Sequence, residues 1–304
     1  RITVPLSLSS YARSALSTAQ HLLVPRGLRL FGGGAQAALA AYGVIQGMSL
    51  PILLFPAALI AVIADLIVPE LTEAQVQGRL RGLSYMLERL YRLGLFFSMA
   101  VAGVCFFFAQ PLGALIYSEP AAGHYIRLLA PLVPIMYMDT LVDGMLKGVG
   151  EYRANMRYNI IDAAVGLLLV WLLLPHFGTA GYIFSIFATE LLNFALSAAR
   201  LSRVSAFRFQ PLCWLLTAAA ATGGWWLLRL LFGGLLAHTE QLPVLLLSAL
   251  LYLLCYAAAL FLSGALRREE LSWLFSLLHP QKRQNSKSRK QEKNKDNKSI
   301  SKFI

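Results

Sequence analysis

Carboxylate and amide side chains recur at helical spacing in three apolar stretches of this sequence. Asp139 and Asp143 are four residues apart, so on a helix they share one face. Asn159 and Asp162 share a face of the next stretch, and Glu190 follows in a third. A carboxylate inside an apolar helix is costly unless it faces a water-filled cavity or a partner. These residues therefore predict a transport path.

Two arginines lie in the same kind of environment. Arg13 is near the middle of the first apolar stretch, among Ser, Thr and Gln residues. It could tether a neighbouring helix, or line a cavity for an anionic substrate. Arg127 precedes Asp139 by about three helical turns, which is too far for a direct pair on one helix. We expect partners on other helices, with Glu190 beside either Arg13 or Arg127. The substrate-binding prediction comprises these three residues together with Asp139 and Asp143.

The acid pair leaves a second chemistry open. Two carboxylates at this spacing could hold a diphosphate through Mg²⁺ in an intramembrane prenyltransferase. Such an enzyme needs a second acidic motif on a facing helix, and the sequence has none. Asp139 and Asp143 could instead pair with Lys147 and Arg153. We therefore expect no enzyme. We also expect no metal site, because the five histidines and three cysteines lack metal-ligand spacing.

Composition indicates a membrane protein. The chain has 304 residues, of which 57% are hydrophobic and 14% charged. Apolar runs of about twenty residues, the length that crosses a bilayer, recur throughout. The sequence predicts an all-α polytopic bundle with eight spans, approximately at residues 2–24, 38–68, 91–117, 124–149, 153–174, 178–201, 212–236 and 242–266.

The distribution of basic residues predicts orientation. One set of connections and the C-terminal tail hold 21 Lys and Arg residues, against four on the opposite side. Basic connections stay in the cytoplasm, so we expect a multi-pass cell-membrane protein with a cytoplasmic C-terminus. The tail from residue 281 is rich in Lys, Asn, Ser and Gln, which predicts disorder near anionic lipid rather than nucleic-acid binding.

Several residues predict the shapes of individual helices. Pro51 and Pro56 should bend the second span, and Pro131 and Pro134 should interrupt the fourth. The third span is the most uniformly apolar, which is typical of a lipid-facing helix. The connection Glu70–Arg92 is amphipathic and predicts a helix lying on the cytoplasmic membrane surface.

Two motifs resemble a known family. The run AAYGVIQGMSLPILLFPAALIAVIADLIVPELTEA resembles a helix of the MOP exporter superfamily, in particular its stage V sporulation protein B-like branch. The matching positions are Tyr42, Gly43, Gly47, Met48, Pro51, Phe55, Pro56, Pro69 and Glu70. The later run DGMLKGVGEYRANMRYNIID resembles the LKG-x-G motif of the same family, through Leu146, Lys147, Gly148 and Gly150.

The resemblance implies a domain organisation. Members have two six-helix lobes and two further helices, and the eight spans correspond to the second lobe and the extra pair. Residues 1–208 would form the lobe, 209–266 the extra helices and 267–304 the tail. The first lobe would be a missing partner of this chain.

The resemblance also implies a function, which is flipping a polyprenyl-diphosphate-linked saccharide such as a peptidoglycan or polysaccharide precursor, with membrane lipids as the other partners. Arg13 is the candidate for the cavity arginine of the family. The sodium site of some members would correspond to Asn159, Asp162, Ser185 and Thr189. No cofactor is expected, and Na⁺ and H⁺ are the alternative coupling ions. A multidrug or cation exporter and a non-transporting scaffold for envelope synthesis are the alternative functions.

Overall fold

A computed structural model describes residues 3–31, 34–205, 207, 209–236, 239 and 241–264, and within these ranges it contains helices and no strand. The chain is all-α, as the sequence predicts. The α-helices are α1 Thr3–Leu30, α2 Ala35–Val44, α3 Leu50–Leu54, α4 Ala57–Val76, α5 Leu80–Phe107, α6 Ala109–Tyr117, α7 Pro120–Leu129, α8 Val133–Gly148, α9 Tyr152–Val204, α10 Pro211–Leu236 and α11 Leu242–Leu262.

Six of the described stretches are long and apolar enough to cross a membrane, so the protein is a multi-pass membrane protein. The longest of them is α9, whose 53 residues would extend about 80 Å as a straight helix. It is instead a hairpin, because Asn159 and Ser197 both donate hydrogen bonds to the carboxylate of Asp143. The reversal is at Gly178, which has a left-handed φ of 55°, a value that favours glycine. Helix α9 therefore supplies two of the predicted spans.

The first helix is less apolar than the others and does not qualify as a span by hydropathy. It packs along residues 152–177, the first half of α9. Gly27 lies against Leu174, while Gln20 lies against Gly166. Both residue numbers increase together along the contact, so the two helices run parallel. Helix α1 thus lies beside a membrane-crossing helix over its length, as the sequence predicts for the first span.

Proline residues break two of the crossings, as expected. A π-helical segment, Ile45–Ser49, follows α2, and the helix ends again at Phe55 and Pro56 before α4 begins. A 3₁₀ segment, Ala130–Leu132, separates α7 from α8. A proline lacks the amide hydrogen of the helical ladder and clashes with the preceding turn, so both interruptions have a local cause.

Helix α8 is at the centre of the fold. Gly144 of α8 approaches Ala64 of α4, and Gly94 of α5 approaches Leu141 of α8. Small residues at such crossings let helices pack closely. The hydroxyl of Tyr137 donates to the backbone carbonyl of Leu53 over 2.6 Å.

Two expectations about helix placement are wrong. The third predicted span is not lipid-facing: α5 packs against α8 and α10 and buries residues on several turns, including Leu87, Tyr91 and Leu95.

The connection Glu70–Arg92 is not a separate surface helix. Its residues extend α4 to Val76 and begin α5 at Leu80, because continuing each helix satisfies more backbone groups than unwinding it would.

The last two helices pack against α5. Trp214 of α10 donates its indole N–H to the Tyr91 hydroxyl over 2.8 Å, and the Tyr256 hydroxyl of α11 donates to the carbonyl of Phe96. Phe108, Leu228, Leu245 and Tyr252 form a buried apolar cluster between them. The predicted tail, residues 267–304, lies outside the described residues.

Candidate functional site

A polar cluster joins α8 to both halves of α9. We use the name for Asp139, Asp143, Asn159, Asn193 and Ser197. Asn193 donates to Asp139 over 2.8 Å, and Asp143 accepts bonds of 3.1 Å from both Asn159 and Ser197. Asn159, Asn193 and Ser197 are buried. The two carboxylates are four residues apart on α8, so one helix face presents both to the α9 hairpin.

Neutral donors, not cations, hold both carboxylates. Within the described residues, neither Asp139 nor Asp143 forms the alternative ion pair with Lys147 or Arg153, and Asp143 instead accepts from an amide and a hydroxyl group. The ion pair in this region instead joins Glu151 and Arg200, at 2.9 Å. Arg200 donates through two nitrogens, which is the strongest geometry for such a pair. It joins the two ends of α9 beside the polar cluster.

Arg13 of α1 lies beside two further acids of α9. It is close enough to Asp162 and to Glu190 to act on both carboxylates electrostatically, and these acids also act on Asp143. Of the two arginines expected beside Glu190, Arg13 is the one whose charge acts on this carboxyl group. Arg13 itself is exposed. One guanidinium therefore acts electrostatically on two carboxyl groups of α9.

The exposed side of α1 continues this polar region. Arg13, Ser14, Ser17, Thr18 and His21 are all exposed, and they recur at intervals of three or four residues, so they form one stripe along the helix. We call these residues the α1 stripe. Polar side chains at membrane depth face water or protein rather than acyl chains. We therefore expect the α1 stripe to line a hydrated space or a further protein contact.

Arg127 is not part of this arrangement. It is exposed at the end of α7, and its guanidinium lies 5.4 Å from the centre of the Phe106 ring. The cation–π contact stabilises the guanidinium by about 0.5–1 kcal/mol at an exposed site. The structure thus brings together four of the five predicted substrate-binding residues and leaves Arg127 apart from them.

The four predicted ion-coupling residues lie on facing halves of the α9 hairpin. Asn159 belongs to the polar cluster, and Asp162 lies near Arg13. Ser185 and Thr189 donate their hydroxyl groups to carbonyls of their own helix, at 2.7 Å and 2.9 Å. Within the described residues, no three His, Cys, Asp or Glu side chains converge as metal ligands.

Several buried acceptor atoms of this region have no donor. They are one carboxylate oxygen of Asp139, one of Asp162 and the amide oxygen of Asn193. A buried polar atom without a partner costs free energy. These oxygens are therefore the atoms of the site that are most able to receive a proton or a cation.

Asn193 and Ser197 were missing from the predicted site. Asn193 and Ser197 are four residues apart, and Ser197 is seven residues after Glu190. All three residues therefore share one face of the helix. The helical spacing is a signal that would have found them. Neutral side chains are easily passed over because a Ser or Asn in a membrane helix often bonds its own backbone.

Comparison with known proteins agrees with the motifs. Residues 28–172 match the MatE family. The matched segment is slightly less than half of the chain. It is also similar to the stage V sporulation protein B of Bacillus subtilis (strain 168), with 25% identity over 67% of this chain and 40% of that protein. The similarity to sporulation protein YkvU of the same organism is 23% identity over 57% of the chain and 39% of that protein.

The resemblance to the MOP exporter superfamily is thereby confirmed. The chain spans about two fifths of the length of these two relatives. The matched residues of the MatE domain include Asp139, Asp143, Asn159 and Asp162 and exclude Arg13 and Glu190. The family match therefore covers the α8 half of the site, and the structure adds the α1 and late α9 residues.

Proposed function

We propose that this chain is part of a membrane transporter that flips a polyprenyl-diphosphate-linked saccharide by alternating access. The observation that carries the proposal is the α1 stripe with Arg13 at its end. An exposed guanidinium on a helix that packs along a membrane-crossing helix fits a diphosphate, which it would bind through charge-assisted hydrogen bonds. The neighbouring hydroxyl groups of Ser14, Ser17 and Thr18 suit the polar part of the same molecule.

Alternating access would require helices facing the α1 stripe, either later or earlier in the same polypeptide or from a partner. In such transporters, two bundles rock about a binding site near the middle of the membrane. The break at Phe55 and Pro56 and the 3₁₀ segment before α8 are where α4 and α8 could change direction. Binding energy at the stripe would then favour one orientation of the bundles over the other.

Ion coupling belongs to the same proposal. Asp162 and Asp139 have buried oxygen atoms without donors, and Na⁺ or H⁺ would neutralise them. Asp162 is beside Arg13, so a cation on this carboxylate would change the field at the substrate site. Asn159, Ser185 and Thr189 would supply neutral oxygen atoms around it.

A second function is favoured by the excess of acids. Asp139, Asp143, Asp162 and Glu190 outnumber Arg13 in this region, which suits a cationic substrate. A cation exporter would need these acids and not the guanidinium. The two functions therefore differ in what happens when Arg13 is removed.

The first experiment depletes the protein in its own cells and measures lipid-linked precursors in each leaflet. If the protein is a flippase, precursors accumulate in the cytoplasmic leaflet. Unchanged pools with reduced efflux of cationic dyes would support the exporter. Unchanged pools and unchanged efflux would contradict both.

The second experiment replaces Arg13. We expect Arg13→Ala to reduce flipping about ten- to hundredfold, because a hydrogen bond to a charged group contributes ~1.5–3 kcal/mol. Arg203→Ala is the matched control, since Arg203 is also an exposed helical arginine but lies in the last turn of α9. Normal membrane levels of both variants are required. Full activity of Arg13→Ala would remove Arg13 from the mechanism.

A further inference from the structure

A cavity lies between α1 and the first half of α9, at the Leu30 end of α1. Its volume is about 290 Å³, and its lining residues are Leu23, Arg26, Gly27, Leu30, Val170, Trp171 and Pro175. This is close to the lower limit of ligand pockets in proteins, ~300 Å³. The lining contains one cation and one indole, is otherwise apolar, and has no acid.

The cavity lies where two helices end, which is the level expected for the membrane surface. Arg26 is four residues before the end of α1, and on α9 the cavity ends at Pro175, just before the reversal at Gly178. Both helices therefore terminate here. Trp171 is 62% exposed, and tryptophan concentrates where acyl chains meet headgroups. Arg13 is thirteen residues from Arg26, about 20 Å along the helix, so the cavity is distinct from the polar region around Arg13.

Arg26 is exposed, and among the described residues it has no hydrogen-bond or ion-pair partner. Close approach of Gly27 to Leu174 holds the two helices together at this level, so the cavity walls are fixed by packing. An unpaired guanidinium above an apolar slot is complementary to an anionic phosphate attached to hydrocarbon chains.

We propose that this cavity binds one anionic phospholipid in the leaflet at the Leu30 end of α1. The guanidinium of Arg26 would bind the headgroup phosphate, and the indole of Trp171 would lie at the level of the glycerol. The upper part of an acyl chain would occupy the slot lined by Leu23, Val170 and Pro175. The proposal does not depend on the transport function, because it uses none of the residues of the α1 stripe or the polar cluster.

The test uses the protein in vesicles of phosphatidylcholine that contain phosphatidylglycerol brominated on its upper acyl chains. Bromine quenches tryptophan fluorescence on contact. The chain has five tryptophans, so the quenching measured for the Trp171→Phe variant is subtracted from that of the unmodified protein. The difference is the quenching of Trp171 alone. We expect the brominated anionic lipid to associate about five-fold more tightly than brominated phosphatidylcholine, the factor typical of one basic residue beside anionic lipid.

Arg26→Gln should abolish this preference and Arg29→Gln should retain it. Arg29 is the matched control because it is an exposed arginine of the same helix end outside the cavity lining. Equal quenching by the two lipids, or equal losses in the two variants, would overturn the proposal. Relief of quenching by added inorganic phosphate would show a free-phosphate site and would also overturn it.

Native mass spectrometry of the purified protein supplies a second measurement: the retained anionic lipid should be lost only in Arg26→Gln.

Discussion

Among single residues, the hydrogen bond from Asn193 to Asp139 is one of two side-chain hydrogen bonds, with that from Ser197 to Asp143, that join the second half of α9 to α8 in the described part of the chain. It is 2.8 Å long and joins positions 54 residues apart. We expect a double-mutant cycle of Asn193→Ala and Asp139→Ala to give a coupling of about 1 kcal/mol, since polar contacts between membrane helices contribute ~0.6 kcal/mol on average and up to ~1.7. Thermal unfolding in detergent measures it.

The control cycle combines Asn193→Ala with Thr222→Ala. Thr222 is exposed and donates only to carbonyls of its own helix, so the two sites share no contact and should be additive. If the coupling between Asn193 and Asp139 is also near zero, the prediction is wrong, and other groups hold the carboxylate of Asp139.

At the scale of elements, the turn of the α9 hairpin depends on Gly178. Its φ of 55° and ψ of −130° lie in a region that residues with a side chain rarely adopt, at ~1–3 kcal/mol. A β-carbon there would also be 2.9 Å from the ring of Phe31. Gly178→Ala should therefore lower the free energy of unfolding by more than about 2 kcal/mol.

Gly223→Ala provides the comparison. Gly223 is an exposed glycine of α10 with no atom within 4 Å of an added β-carbon. Alanine is favoured over glycine inside a helix by about 1 kcal/mol, so this variant should be neutral or more stable. If both alanine variants unfold at the same temperature, the hairpin does not depend on the glycine conformation.

At the scale of the whole molecule, the charge bias predicts which turns face the cytoplasm. Gln77, between α4 and α5, should be cytoplasmic, and Ser118, between α6 and α7, should be on the opposite side. Both are exposed. We expect a membrane-impermeant maleimide to label Ser118→Cys in intact cells and to label Gln77→Cys only after permeabilisation. The unmodified protein, whose Cys105 and Cys213 are buried and Cys255 half-buried, measures the background. The reverse pattern would invert the topology.

The order of helices and most of their breaks could be predicted from the sequence. Runs of apolar residues set the crossings, because backbone groups in hydrocarbon must bond within their own helix. Prolines Pro51, Pro56, Pro131 and Pro134 predicted the interruptions, because proline removes a helical hydrogen bond wherever it occurs. These are local properties, and the chain near each residue is sufficient to determine them.

Helix contacts could not be predicted in this way. The uniform hydrophobicity of α5 indicated a lipid-facing helix, yet α5 packs against α8 and α10. Acyl chains and protein cores are equally apolar, so hydropathy cannot distinguish them. What decides is the fit of surfaces, such as Gly94 of α5 against Leu141.

Residue type and spacing are sufficient to predict that acids, amides and Arg13 lie inside helices. Which of these side chains meet depends on how the helices pack. Asp143 finds Asn159 and Ser197, Arg13 lies by Asp162 and Glu190, and Arg127 lies over Phe106 instead. The physical reason is that these partners come from separate crossings. Their distances depend on the reversal at Gly178 and on the packing of α1 along α9, and sequence spacing along one helix specifies neither.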